Sequence, residues 1–446
     1  MRRVPMLLAG FLLLLTFGAR PARAQEAVDG YWEGVLADRG NELRINVEFK
    51  TRANGFEATI DIPDLYILGF TLANVRYEAP KVHFELPLGA EPEKFDGVFD
   101  GKNISGSYTG AFYGEKKRSA TLRLWRERRD ARPYKQEEVR FQDDNATLAG
   151  TLFVPSRKGP HPAIVFLHGS GPQTRESYLR YFADLFARRG FVTLIYDKRG
   201  TGASTGEVWY RTGDRFDLLA ADAVAGVQTI LSRQDINPKK IGLWGLSQGA
   251  WLAPLAASRS KDIAFLMVVS GGGVTPAEQE LYDDEVKLRD KGFSEEQIRE
   301  AVALLKLADD VIRKRESLEK FVAVREQAQK QPWFVHLDRY PVKLPKENPV
   351  WRGGGEGLDF DPRPVWERIN VPVLAVFGES DKSTPALETA RRIDVALRKG
   401  GNREYTIKVF PAADHALLSQ GSDMNWTRPA SGWQKLMIDW LERRFK

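Results

Sequence analysis

The sequence predicts a two-part fold. A small all-β domain, barrel or sandwich, is followed by an α/β domain with a doubly wound, mostly parallel sheet and a helical insertion. Three observations carry this. Residues 28–127 are a series of short strand-like runs with turn signals between them. From Lys135 onward, buried strand-like runs alternate with helix-like ones. That alternation breaks after Phe265–Ser270, where about ninety residues of helix-patterned and aromatic-rich sequence precede the next buried run at Val371.

Taken in order, the chain opens with a leader. Arg2 and Arg3 form a positive start, Met6 to Phe17 is apolar but short for a bilayer span, and Ala22-Arg23-Ala24 is a cleavage signal. The expectation is export, cleavage after Ala24, and a periplasmic or secreted chain with no stable membrane anchor. An uncleaved anchor is the alternative. The predicted domains are therefore 1–24 signal peptide, 25–130 all-β, and 131–446 α/β, with the insertion at 274–366. No cysteine is present, which excludes disulfides and lipid attachment through a thiol. More than 400 residues can bury enough apolar surface without such staples. The formal charge is +6, of which Arg2, Arg3, Arg20 and Arg23 supply +4, so the remainder carries +2. A nearly neutral chain argues against a nucleic-acid partner.

The β domain is read from Tyr31 to Leu36, Glu42 to Phe49, Gly55 to Ile62, Asn74 to Leu86, Phe95 to Phe99, Asn103 to Phe112 and Ala120 to Trp125. Asn54-Gly55 and Asp100-Gly101 are hairpin turns. No catalytic cluster or metal-ligand spacing occurs there. A ligand pocket and an oligomerising role, such as a homodimer, suit it equally. In the α/β part, Gln136 to Gln142 and Thr147 to Val154 read as an opening hairpin. Buried strands follow at Ala163, Phe191, Lys240, Ile263, Val371 and Tyr405, and a last helix spans Gly432 to Arg444. In the insertion, Ser294-Glu-Glu-Gln297 is a capping box, and Ile298, Val302, Leu305 and Ile312 share a helix face. Trp333, Phe334, Tyr340, Trp351 and Phe360 follow it. This insertion reads as a cap over the site.

The chemistry centres on Ser247 in Gly245-Leu-Ser-Gln-Gly249, between a buried strand ending at Gly245 and an apolar helix from Ala250. A sharp strand-to-helix turn exposes a serine, and its flanking glycines leave room for close backbone approach. Gly-x-Ser-x-Gly alone is weak evidence, with roughly 0.15 chance matches expected in a chain of this length. Gly202-Ala-Ser204-Thr-Gly206 matches too, but no helix opens after it, and it reads as a surface loop. A serine nucleophile needs a base. Of the five histidines, His415 lies in the loop after the last strand, at the strands' carboxyl ends. The base needs an orienting carboxylate. Asp381, after the Gly378 turn, is the choice, with Glu379 as runner-up. The oxyanion donors expected are the backbone amides of Gln248 and Ser170, with Gly169 next. His168 is read as a structural residue of that loop.

Together His168-Gly-Ser-Gly-Pro172, Asp197-Lys-Arg-Gly-Thr-Gly-Ala-Ser204, Gly245-Leu-Ser-Gln-Gly249, Gly378-Glu-Ser-Asp381 and Asp414-His415 resemble the α/β-hydrolase superfamily. Within it, the chain looks like the bacterial esterase D-like carboxylesterases, whose relatives include serine aminopeptidase- and dienelactone-hydrolase-like proteins. The resemblance covers about residues 135–446. It implies hydrolysis of a small-molecule carboxylic ester through an acyl-enzyme on Ser247, with no metal or organic cofactor. Asp197 and Arg199 are expected to brace the loop beside the site. A serine peptidase or amidase, binding an amine through Asp283, Asp284 and Glu285, is the alternative. A non-catalytic binding protein is a third reading, disfavoured by the complete set of catalytic residue types.

Overall fold

The computed structural model describes residues 28–53, 55–89, 91–112, 117–176, 178–207, 215–337, 357–419 and 426–446. The predicted leader, Asn54, Tyr340 and Trp351 lie outside these residues. The chain forms two compact units. One comprises the residues up to Asp38, Arg44–Ile60 and Thr71–Arg129; the other comprises Arg39–Leu43, Asp61–Phe70 and Asp130–Lys446.

The N-terminal region builds one antiparallel sheet from β1 (Gly30–Asp38), β2 (Asn41–Arg52), β3 (Gly55–Ile62), β4 (Ile67–Thr71), β5 (Ala73–Glu78), β6 (Lys81–Leu86), β7 (Glu93–Phe99), β8 (Asn103–Gly110) and β9 (Arg118–Arg126). The strand order is β4-β3-β2-β1-β9-β8-β7-β6-β5. The two edge strands, β4 and β5, are consecutive in the chain with only Leu72 between them. The edges therefore meet, and the sheet is a nearly closed barrel rather than a sandwich. Alternation places Leu43, Ile45, Val47 and Phe49 of β2 on the buried face. Phe84 stacks on Phe95 at 4.7 Å between centroids, and Phe49 meets Phe84 edge-on at 5.6 Å. The single strand expected over Asn74 to Leu86 is two. Pro80 offers no N–H to a ladder, the chain reverses there, and Glu78 pairs with Lys81. The strand Ile67–Thr71 was not anticipated.

The α/β unit carries β10 (Tyr134–Asp143), β11 (Ala146–Pro155), β12 (His161–Leu167), β13 (Val192–Tyr196), β14 (Ile236–Leu246), β15 (Phe265–Val269), β16 (Val373–Gly378) and β17 (Tyr405–Phe410). Their order is β10-β11-β13-β12-β14-β15-β16-β17. β10 and β11 form an antiparallel hairpin, β11 is antiparallel to β13, and the remaining neighbours are parallel. Helices α1 (Leu179–Ala187), α2 (Phe216–Leu231) and α3 (Gln248–Ala257) follow β12, β13 and β14. Both faces of the sheet are covered. Val165 and Leu167 of β12 belong to one apolar core, and Ile164 and Phe166 to the other. That double burial explains the uninterrupted apolar run. β13 and β14 flank β12 on opposite sides, so the strand order reverses there. In such sheets ligands bind at the carboxyl ends beside the reversal.

The insertion contains α4 (Pro276–Asp290), α5 (Glu295–Ile312), α6 (Leu318–Ala328) and the short α7 (Arg363–Trp366). The capping box at Ser294 forms in both directions: Gln297 N donates to Ser294 Oγ at 3.3 Å, and Ser294 N donates to Gln297 Oε1 at 3.0 Å. Ile298, Val302, Leu305 and Ile312 are buried in a separate apolar core with Trp333 and Phe334. Phe360 packs edge-on against Phe216 of α2. Two further helices, α8 (Ala386–Lys399) and α9 (Trp433–Phe445), complete the unit.

One buried ion pair braces the loop after β13. The Arg199 guanidinium reaches Asp222 of α2 at 2.5 Å and Asp143 at 2.8 Å, and the Arg199 and Asp222 side chains are each 1% exposed. Removing one partner strands a buried charge, a loss of about 3–5 kcal/mol. Arg199→Met should therefore lower urea-unfolding stability by about that amount. Arg199→Met with Asp222→Leu should recover much of the loss.

Candidate active site

Ser247 sits between β14 and α3 with φ 57° and ψ −115°. That conformation is unfavourable for a residue with a Cβ. Surrounding bonds hold it: Ser247 N donates to Val269 O and Ala250 N to Ser247 O, both at 2.9 Å. The flanking glycines are required by contact. A Cβ on Gly245 would lie 2.2 Å from the Gly249 carbonyl oxygen, and one on Gly249 would lie 2.7 Å from that of Leu167. The loop after β12 thus packs directly on the serine turn.

The acid and histidine loops are joined in the same way. Glu379 N donates to Phe410 O at 2.9 Å and Ser380 N to Ala413 O at 2.8 Å. A Cβ on Gly378 would strike the Asp414 and Ala413 carbonyl oxygens at 2.2 and 2.3 Å. Asp381 Oδ2 lies 2.8 Å from His415 Nδ1. Its Oδ1 accepts from the amides of Ser383 and Thr384, each at 2.8 Å. Glu379 is exposed, so Asp381 is the carboxylate that contacts His415. Burial disfavours protonation of His415, but the charge and hydrogen bond of Asp381 outweigh it, aided by Asp414 and Asp283. The net shift is upward. The histidine loop is shaped by Asp414, whose Oδ1 accepts from Ala416 N and Leu418 N at 2.9 Å.

Among the described residues, Ser247 Oγ makes no hydrogen bond, so the Ser247–His415 link is not closed in this conformation. Such links are commonly loose before substrate arrives. β14 and β16, which carry the serine turn and the acid loop, are separated only by β15.

The structure divides the expected oxyanion donors. The Gly169 amide donates to the Tyr178 hydroxyl at 3.3 Å. Gln248 opens α3 and is buried, and the Ser170 amide lies in the loop after β12. His168 is buried, and burial first and Lys198 second push its pKa down to about 3. It is neutral and edge-on to Tyr196, which suits a structural role.

Ser204 lies in the expected surface loop, between exposed Ala203 and Thr205, but its own side chain turns inward. It is buried, donating through Oγ to Asp197 O at 2.7 Å and accepting from Ala149 N at 2.9 Å. Asp197 ties the same turn through Ala203 N at 2.9 Å and Arg175 N at 2.9 Å. Two contacts at the site were not anticipated. Tyr282 of α4 donates to Asp381 O at 3.0 Å. Lys198 reaches the loop after β12 and Gln248. A lysine directly after a buried strand, inside a glycine-rich turn, was the available signal for the second.

A profile of the alpha/beta hydrolase family matches residues 164–425. Esterase EstD of Thermotoga maritima is 24% identical over 289 residues, spanning 63% of this chain and 61% of that protein. An uncharacterized 31.7 kDa protein of Escherichia coli, from the traX-finO intergenic region, is 26% identical over 266 residues, 58% of this chain and 85% of its own. Among solved structures, an esterase of Pyrococcus furiosus aligns over 70% of this chain and 92% of its own, with TM-score 0.46 and 18% identity. The family profile spans more than half of the chain and includes Ser247, Asp381 and His415; the chain belongs to the alpha/beta hydrolase family.

Proposed function

We propose that this hydrolase is an exported serine carboxylesterase acting on short to medium acyl esters. One observation carries the reading: a strained, glycine-flanked Ser247 and a hydrogen-bonded Asp381–His415 pair share the carboxyl edge of the parallel part of one sheet. The esterase relative from Thermotoga maritima supports the ester class.

In the reaction, Ser247 Oγ attacks the ester carbonyl carbon while its proton passes to His415 Nε2. The carbonyl oxygen takes the negative charge, stabilised by the Gln248 and Ser170 amides. Collapse breaks the bond to the alcohol oxygen, which leaves with the proton held by His415. Water then attacks the acyl carbon, giving its proton to His415. The second collapse returns that proton to Ser247 and releases the acid. Asp381 holds the imidazole orientation and stabilises its charged form throughout.

The amidase alternative draws on one electrostatic influence. Asp283 acts electrostatically on His415, which places a carboxylate near the base. That carboxylate is paired with Lys287 at 2.7 Å, so an incoming amine would have to displace the lysine. Turnover of aminoacyl anilides without turnover of aryl esters would favour it.

Ser247→Ala should lower p-nitrophenyl ester turnover at least ~10³-fold without altering the thermal transition. The active wild-type chain should begin at Gln25 and partition to the periplasmic or culture fraction. Retained turnover in Ser247→Ala would rule out the mechanism.

The pH profile supplies a second test. His415 must be neutral to accept the serine proton. Its raised pKa means that this form is lost at a higher pH than for an ordinary histidine. Activity should therefore rise with pH through a midpoint above the usual histidine value of about 6.5. Asp381→Asn removes the main raising influence, so its residual activity should show a lower midpoint. An unchanged midpoint would contradict the assigned pair.

A further inference from the structure

Lys198 follows the last strand residues of β13 and is only 5% exposed. Its Nζ donates to Gly169 O at 3.0 Å, to Gly171 O at 3.0 Å and to Gln248 Oε1 at 2.6 Å. An ammonium has three N–H donors, and all three are used. Every acceptor is a neutral dipole, whereas buried charges are ordinarily paired with an opposite charge. Burial accordingly pushes the Lys198 pKa down to about 8, with Asp222 opposing. Keeping a cation here costs stability, so what it grips is informative.

It grips both loops that carry the oxyanion donors. Gly169 C=O and Ser170 N–H belong to one planar trans peptide, in which they point in opposite directions. Fixing the carbonyl therefore fixes the direction of the Ser170 N–H. A cation on the carbonyl also polarises that peptide and strengthens its N–H as a donor. The third bond ties the Gln248 side chain, on the first residue of α3, to the same nitrogen. One ammonium thus holds the loop after β12 and the start of α3 in register.

We propose that Lys198 is the positioning residue of the oxyanion hole, orienting the Ser170 amide through the Gly169 carbonyl and the Gln248 amide through its side chain. This rests on the ester-hydrolysis reading above. Lys198 acts through these peptides rather than on the substrate. Its interactions favour the tetrahedral state, where the oxyanion exists, over the bound ester.

The titratable groups acting on Lys198 are His168, from the loop after β12, and Asp222, from α2. His168 is neutral across the working range, so it neither repels the ammonium nor titrates with it. When Lys198 loses its proton, two N–H donors remain for three acceptors. The oxyanion peptides then lose one restraint.

The test is steady-state kinetics of Lys198→Met on p-nitrophenyl esters, with inhibition by an alkyl boronic acid that forms a tetrahedral adduct on serine. The variant should lose kcat by about 10²–10³-fold, as when an oxyanion donor is removed, while KM changes little. The boronate Ki should rise in parallel with the loss of kcat. Wild-type kcat should fall as pH rises through about 8, and Lys198→Met should lack that limb. Because the chain has no cysteine, Lys198→Cys introduces a unique thiol. Aminoethylation under denaturing conditions followed by refolding restores an ammonium of near-lysine length, and should restore kcat, whereas a neutral propyl cap should not.

A folded Lys198→Met with wild-type kcat would overturn the proposal, as would equal rescue by the neutral cap. Should the methionine variant not fold, the wild-type profile decides: a kcat flat from about pH 7 to about pH 10 overturns it. Absence of ester turnover in the wild type would instead strike the function reading. Turnover that needs Ser247 but is indifferent to Lys198 strikes only this inference.

Discussion

The backbone at Ser247 is the constraint on which the site depends. Its φ of 57° with ψ of −115° costs of the order of 1–3 kcal/mol and persists only where the surroundings enforce it. They do so from three sides. Gly245 and Gly249 face each other across the turn, Gly249 also faces the Leu167 carbonyl, and a Cβ on Gly271 would lie 2.6 Å from the Ser247 carbonyl oxygen. These contacts come from the ends of β12, β14 and β15, the centre of the parallel sheet. Ser247, the proposed nucleophile, is therefore held by the ends of three adjacent central strands.

A second set of contacts fixes His415, the proposed base. The hydrogen bonds donated by the Glu379 and Ser380 amides join the acid loop to β17 and the loop beyond it, and Gly378 lets those segments touch. Asp381 spends one carboxylate oxygen on two backbone amides and the other on His415. It has little freedom to reorient, so the imidazole is held before substrate binds. Preorganisation of this kind spares the enzyme dipole rearrangement during the reaction. The insertion contributes through Tyr282, which bonds the Asp381 carbonyl, and through Asp290, which pairs with Lys382 at 2.6 Å.

Much of this could be read before folding because the chemistry imposes local patterns. Gly245 and Gly249 reveal the serine turn since any larger residue would collide. Asp381 and His415 could be found because each lies just past a strand, buried β16 and edge strand β17. The buried strands β12 to β16 were visible as apolar runs, and α5 as a capped periodic helix, whereas β17, also expected to be buried, is an edge strand in which only Phe410 is buried. What could not be read depends on distant pairing. Ile67–Thr71, with Pro63 before it and Gly69 within it, has the texture of a loop, and becomes a strand because the chain folds back there and pairs with β3. The burial of Ser204 depends on the approach of Ala149, fifty-five residues earlier. The role of Lys198 could not be read because its three acceptors come from two other segments of the chain.

The proposed mechanism makes Ser247 the covalent nucleophile. Its most direct test is intact-mass measurement and peptide mapping after exposure to a fluorophosphonate ester. A single phosphonyl adduct on the peptide containing Ser247, with loss of ester turnover in proportion, is the predicted result. An adduct on another serine, or full inhibition with Ser247 unmodified, would contradict it.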